Sequence, residues 1–255
     1  MIIEYQRPKS INEALKLLAR EEPITYPLGG GTLLNQPNDK RYAVVDLQAL
    51  GLDKAVKKGN SLHLGATFTL QQLLEIANLP KDLYQSIRYE ATHNLRQIAT
   101  IAGTLAVASG RSPFTTVMLA LDATMEIHAF ESAPELVGLG EWLALRGEGR
   151  NNNLITMISL PINIRLAFEY IARTPADQSI VCAAVVQWAS GRTRLVLGGW
   201  GRVPLLALDG LESGGIEIAA RNAYSHAGDE WASPEYRQEM AGVLALRCLN
   251  RLSEK

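Results

Sequence analysis

The chain has 255 residues, enough for a real core and for two subdomains. Hydrophobic residues make up 47% and charged ones 20%, as in an ordinary soluble globular protein, and a formal charge of −1 with no basic run argues against a large nucleic-acid surface. Cys182 and Cys248 are the two cysteines; a disulfide framework, a zinc site or an iron–sulfur cluster needs about four partners, so both read as small core hydrophobes.

The first residues, Met1 to Tyr5, lack the basic and apolar regions of a signal peptide, and no apolar run reaches the ~18 residues of a membrane span. A cytoplasmic location is the expectation. Ile2 to Tyr5 reads as a strand, and Ser10-Ile11-Asn12-Glu13 as a capping box opening a helix that buries Ile11, Ala14, Leu15 and Leu18. Pro23 ends that element. Ile24 to Leu28 is a second strand running into Gly29-Gly30-Gly31, Leu33 and Leu34 begin a short helix stopped by Pro37-Asn38-Asp39, and Tyr42 to Asp46 is a third strand. This βαβαβ order predicts a small parallel sheet.

Character changes near Lys54. Leu62 to Gly65 reads as a strand, Thr69 to Gln72 as the cap of a helix carrying Leu70, Leu73, Leu74 and Ala77, and residues 82–97 as helical. Phe114 to Leu121 reads as a helix, Met125 to Phe130 as a strand, Glu131 to Gly149 as loop-rich with Trp142 for an anchor, and Leu154 to Leu160 as a strand ended by Pro161. Three strands follow (165–172, 179–189, 194–198), the last two joined by Ser190-Gly191-Arg192 as an antiparallel hairpin. Two helices, about 216–226 and 234–251, complete the chain. Ser233 and Pro234 open the second, which buries Tyr236, Met240, Val243, Leu244 and Cys248. A subdomain boundary is expected near 163–165. No linker of low complexity and no internal repeat is visible.

Two turns stand out chemically. Leu28-Gly29-Gly30-Gly31-Thr32-Leu33 lies between a strand and a helix, and the apolar stretch 96–109 is broken by Thr100, Gly103, Thr104 and Ser109. Small and hydroxyl residues suit a backbone that must come close to something, and exposed amides in such turns can hold a phosphate. Two such turns suggest a ligand with two phosphates. Either turn alone is equally explained by close packing, and neither matches G-x-G-x-x-G or a P-loop. Gly198-Gly199-Trp200-Gly201 reads simply as a turn after a strand. His63, His93, His128 and His226 have no metal spacing, no nucleophile elbow is present, and Glu21-Glu22 and Asp229-Glu230 read as solvated loop charges. With no catalytic constellation of its own, the chain would need a cofactor to supply any chemistry.

These residues resemble the FAD-binding (medium) subunits of the molybdenum hydroxylases, the family of xanthine dehydrogenase and aerobic carbon monoxide dehydrogenase. Leu28 to Leu34 is similar to the family's first flavin motif, A-G-G-T-D-L-L, and His93 to Ala106 to its second, p-q-I-R-N-r-a-T-I-G-G-N-L-A. Ala120 to Ala123, Leu154 to Pro161, Phe168 to Arg173, Leu197-Gly198-Gly199, Glu235-Tyr236-Arg237 and Ala241 to Leu244 match later blocks, so the similarity runs through essentially the whole chain.

The resemblance implies an α+β fold. Its FAD-binding domain (1–163, subdomains about 1–54 and 55–163) would pair a small parallel sheet with a mainly antiparallel one, flavin between. A C-terminal domain, 164–255, would add a three-stranded sheet and a helical bundle. The resemblance further implies FAD held by Leu28, Gly29, Gly30, Gly31, Thr32, Leu33, Thr100, Ile101, Ala102, Gly103 and Thr104. The partners would be a molybdopterin-binding large subunit and a small subunit with two [2Fe–2S] clusters, with a dimer of heterotrimers as one assembly. Electrons would pass from the clusters through flavin to an external acceptor in such an oxidoreductase component. Departures are Ala102 for the second glycine, Thr104 for Asn, Leu33 for a polar residue, Gly110 for proline, Pro113 for an acid and Glu169 for a base. They keep open a flavin-free structural subunit of the same complex. A freestanding flavin oxidase would need a substrate domain or a covalent flavin ligand that the chain does not show.

Overall fold

The computed structural model describes residues 1–36, 39–146, 153–174 and 177–254. In chain order its elements begin β1 (Ile2–Gln6), α1 (Ile11–Ala19), β2 (Thr25–Leu28), β3 (Tyr42–Asp46), β4 (Ala55–Lys58) and β5 (Ser61–Gly65). Next come α2 (Leu70–Glu75), α3 (Lys81–Glu90), α4 (His93–Ile98), α5 (Ile101–Val107), α6 (Pro113–Ala120), β6 (Thr124–His128), β7 (Glu135–Gly138) and α7 (Leu139–Leu145). The chain continues with β8 (Leu154–Pro161), β9 (Ile164–Ile171), β10 (Val181–Trp188), β11 (Thr193–Gly198), β12 (Leu205–Gly210), α8 (Ile216–Ala223) and α9 (Pro234–Ser253). They form two compact units of interleaved segments. One holds Met1–Glu75, His93–Val107 and Thr124–Leu160; the other holds Ile76–Thr92, Ala108–Ala123 and Pro161–Lys255.

In the first unit β1, β3 and β2 form a parallel sheet in that order. Its central strand, β3, buries all five residues, which is why Tyr42 to Asp46 reads as a continuous rather than alternating run. Helix α1 starts at Ser10, whose Oγ accepts the Glu13 amide at 3.2 Å, while the Glu13 carboxylate reaches the Lys9 amide at 3.0 Å. Ala14, Leu15 and Leu18 then pack with Val45, Leu47 and Leu154. The short helix expected from Leu33 is a single turn, closed by Asn35 N–H to Gly31 O at 3.0 Å. Leu33 is 47% exposed, so the turn has no apolar face on which to propagate. Pro37 and Asn38 of the expected stop lie outside the described residues.

A five-stranded sheet, β4-β5-β8-β6-β7, completes this unit, with β4–β5, β6–β8 and β6–β7 antiparallel. Two edge strands were not legible in the sequence. β4 is exposed along its whole length, and β7 is largely so, and wet edges carry no apolar alternation. The stretch expected to be loop-rich therefore holds β7 and α7, and its buried anchors are Leu139 and Leu143 rather than the half-buried Trp142. Residues 147–149 of that stretch lie outside the described ones.

The second unit corrects three expectations. Its sheet has four strands, β12-β11-β10-β9, because Leu205–Gly210 pairs antiparallel with β11; the expected three-stranded sheet lacked this edge. The helical region 82–97 is broken at Ala91, whose extended backbone (φ −150, ψ 149) ends α3. The buried face of α9 is Arg237, Ala241, Leu244, Ala245, Cys248 and Leu252, with Tyr236 turned outward at 43% exposure. Leu244 and Cys248 are buried as expected and Met240 packs half-buried on the same core, but the inner position next to Tyr236 is taken by a guanidinium. Arg237 is fully buried and donates to Ile180 O, Ala227 O and Ala232 O at 2.8–3.1 Å and to Asp229 Oδ1 at 2.8 Å. Asp229 is thus no idle loop charge: it accepts from Arg237, from Arg111 at 2.7 Å and from the Trp231 amide at 2.8 Å. The hairpin through Gly191 (φ +89) and the cap at Ser233, accepting Tyr236 N–H at 3.3 Å, are as expected. Cys182 and Cys248 are both buried free thiols.

Candidate functional site

Within the first unit the two glycine-bearing loops meet. A Cβ on Gly30 would fall 1.8 Å from Ile98 O, and one on Gly29 would fall 2.9 Å from Thr100 Oγ1. Both positions are therefore closed to any side chain. Gly31 has φ +71, the left-handed backbone that turns β2 back into the following turn. So the first loop needs three glycines for two reasons: close approach at the first two, and conformation at the third.

The amides divide the loops more sharply. In the first, the N–H groups of Gly29, Gly30, Gly31 and Thr32 have no acceptor among the described residues, and the segment is only half-buried. Leu28 instead offers its carbonyl to Leu47 N–H at 3.1 Å, which fixes the loop's root to the parallel sheet. In the second, Ile101 N–H reaches Phe68 O at 2.8 Å and Ala102 N–H reaches Ala66 O at 3.4 Å. Gly103 N–H donates to Thr100 Oγ1 at 3.1 Å, and Thr104 N–H and Oγ1 both donate to Thr100 O at 2.8 Å. Thr100 also bridges Thr69, tying this loop to the bend after β5. Thr100, Ile101 and Ala102 are buried, Gly103 is exposed and Thr104 half-buried. Ala102 lies inside α5 and is not among the left-handed residues, so its methyl group brings no backbone strain.

Thr32 is exposed, and its hydroxyl has no partner among the described residues; Leu33 and Ile98, on the two loops, are each 47% exposed. None of the eleven candidate residues is ionisable, so any anion here would meet main-chain dipoles and hydroxyls rather than charge. Sequence reasoning missed Ala66 and Phe68, whose carbonyls seat the second loop, and Ile98, whose carbonyl closes on Gly30 of the first; backbone acceptors leave no residue-type signal. Of the departures, Pro113 is the first residue of α6, and Glu169, next to the buried Phe168 of β9, pairs with Arg251 at 2.9 Å. His63 meets Ser159 Oγ and His128 meets Glu126, each at 2.8 Å. No group of three or more metal-ligating side chains exists among the described residues. No described helix is long and apolar enough to cross a membrane.

Fold and loops define an α+β chain in which a glycine turn on a parallel sheet abuts a second, glycine-bearing turn beside a five-stranded sheet. Residues 1–163 match the family model described as FAD binding domain in molybdopterin dehydrogenase. The chain belongs to this family. The carbon monoxide dehydrogenase medium chain of Afipia carboxidovorans is 27% identical over 277 residues, covering 97% of this chain and 96% of that one. A protein of Escherichia coli K12 designated Uncharacterized protein YgfM is 29% identical over 252 residues, covering 96% of this chain and 94% of its own. A chain of reconstituted CO dehydrogenase from Oligotropha carboxidovorans superposes with a TM-score of 0.81 at 25% identity, covering 98% of this chain and 96% of that one.

Proposed function

We propose that this chain is the FAD-carrying, electron-transfer subunit of a molybdenum hydroxylase complex. In this reading residues 1–163 hold the cofactor and 164–255 form the C-terminal domain. It would take electrons from [2Fe–2S] clusters on a small partner subunit, beside a molybdopterin-binding large subunit, and hand them to an external acceptor. The observation that carries the reading is the run of four idle amides, Gly29 to Thr32, on a turn held open by close packing. Amides without an acceptor in the chain are free to take an anion, and a diphosphate would satisfy them. The residues fit the group through this loop: its amides and the Thr32 hydroxyl would hold the diphosphate, and Leu33 and Ile98 offer apolar cover. The second loop acts as the wall that positions the first, with its exposed Gly103 allowing close approach. When bound, the flavin supplies the redox chemistry; the chain supplies binding, orientation and exclusion of water.

A structural, flavin-free role in the same complex is favoured by one observation, the internal commitment of the amides of Ile101 to Thr104. Denaturing the complex purified with its partners separates the two readings. Stoichiometric FAD in the supernatant is expected; a colourless complex that stays colourless with added FAD overturns the flavin reading. In Gly30→Ala, the new methyl must push Ile98 O away, so flavin should be lost while far-ultraviolet circular dichroism is kept.

A further inference from the structure

We propose that the outer face of α3 is a binding site for a nucleotide-class ligand, a planar base bearing phosphate, separate from the flavin loops. Lys81, Tyr84, Gln85, Arg88 and Tyr89 recur at helical spacing on this one face and line an open hollow of about 510 Å3. The opposite face, with Asp82, Leu83, Ser86 and Ile87, is the buried one.

The aromatic floor is already fixed. Tyr84 Oη donates to Ile76 O and accepts Leu79 N–H at 3.1 Å. The Tyr89 ring stacks on Tyr170, centroids 4.3 Å apart and planes 6° from parallel, and its hydroxyl accepts from Gln85 Nε2 at 3.2 Å. Rings held in this way lose little freedom on stacking against a base. Charge is equally one-sided. Neither Lys81 nor Arg88 has a carboxylate partner among the described residues, and both are exposed. The acids of α3 are engaged elsewhere: Asp82 takes two 2.8 Å bonds from Arg251, and Glu90 accepts from Ser112 Oγ at 2.7 Å and Phe114 N–H at 3.0 Å. Two unpaired cations therefore flank two ordered rings, with no anion on their own face to compete.

The two cations are separated by seven residues, about 10 Å along the helix axis. That matches one mononucleotide, with its base over the tyrosines and its phosphates drawn to lysine and arginine. A neutral aromatic would leave both cations unused, and a bare anion would leave the rings unused.

The test is calorimetry on the whole complex saturated with FAD, using ADP, adenosine and inorganic phosphate as probes. ADP should bind, with adenosine and phosphate each about tenfold weaker or more. Arg88→Glu and Lys81→Glu, at exposed positions without structural partners, should each weaken ADP by about tenfold or more while leaving FAD content and circular dichroism unchanged. Absence of ADP binding at millimolar concentration overturns the proposal. So does ADP binding that both variants leave intact, because the nucleotide would then lie elsewhere, and so does phosphate binding as tightly as ADP. Loss of the ADP signal as FAD is titrated in would assign the nucleotide to the flavin loops and also overturn it. If the flavin reading fails and no FAD is released, the ADP, adenosine and phosphate titrations and the two variants read the same way on the flavin-free complex, so the two failures are distinguishable.

Discussion

Two glycine-rich turns follow strands in this chain, Gly29-Gly30-Gly31 after β2 and Gly198-Gly199-Trp200-Gly201 after β11, and they spend their backbones in opposite ways. In the second, Gly199 N–H donates to Gly110 O at 2.7 Å, and Gly201 O accepts Gly110 N–H at 3.1 Å. A Cβ on Gly198 would meet Thr116 Oγ1 at 2.2 Å, and Gly199 and Gly201 sit at φ +110 and +82. That turn is a closed fastening within its unit. The first turn is as tightly approached, yet four of its amides are left over. Glycine content marks a close approach in both; amide accounting separates a fastening from a cradle.

Breaking the fastening should give the largest effect. Ile180 O, which would lie 2.3 Å from a Cβ on Gly199, is itself held by the buried Arg237 at 3.0 Å. Arg237→Ala removes one of the two arginines paired with Asp229 and leaves three carbonyls without their buried donor, so a loss of about 3–5 kcal/mol is expected in urea unfolding. Gly199→Ala combines left-handed strain with a backbone collision and should cost roughly 2–4 kcal/mol by the same measurement. A Gly199→Ala protein as stable as the parent would show that the turn yields around the new methyl group.

The acid response of this region is the next smaller effect. Burial alone would raise the Asp229 carboxyl, but Arg237, the Trp231 amide and Arg111 outweigh it and hold it at about 2, below the ordinary 3.8. A carboxylate depressed in the folded state contributes stability above its unfolded pKa and loses it on acidification. That contribution should be complete above pH ~4 and fade between there and pH ~2. Asp229→Asn should be less stable at neutral pH and lack this part of the acid dependence in thermal melts. Glu90 in the same unit runs the other way: burial raises it, outweighing Ser112 and the Phe114 amide. Its charged form is the disfavoured one, so stability falls as pH rises from the ordinary glutamate value of 4.5 through the raised folded value, and Glu90→Gln should flatten that decline.

What the sequence revealed follows from what leaves a residue-type signature. The parallel sheet, the Ser10 and Ser233 caps, the Gly191 hairpin and the buried cysteines were legible because small, capping and apolar residues mark them. β4, β7 and β12 were not, since edge strands exposed to water need no alternation. On α9 Leu244 and Cys248 were readable, but Tyr236 was put in the place of Arg237, because Arg237 buries a charge that composition assigns to the surface. At the candidate site the glycines and threonines were readable. The acceptors at Ala66 and Phe68 that occupy the second loop's amides were not, because every residue carries the same carbonyl.

The cradle itself is probed by the gentlest change. Thr32 is exposed and its hydroxyl makes no bond among the described residues, so Thr32→Val alters the folded chain little. If the idle amides and this hydroxyl together hold a diphosphate, the variant should fold as the parent does. FAD should then be held more weakly by about 0.5–1.5 kcal/mol, roughly two- to tenfold, in equilibrium dialysis of the complex. The same substitution at Thr104, whose hydroxyl is already given to Thr100 O, should cost stability instead and leave flavin affinity nearly unchanged. Equal flavin loss at both positions would mean that the second loop opens on binding and gives up its internal bonds. No loss at Thr32 would move the diphosphate off the first turn and remove the distinction between the two glycine-rich turns.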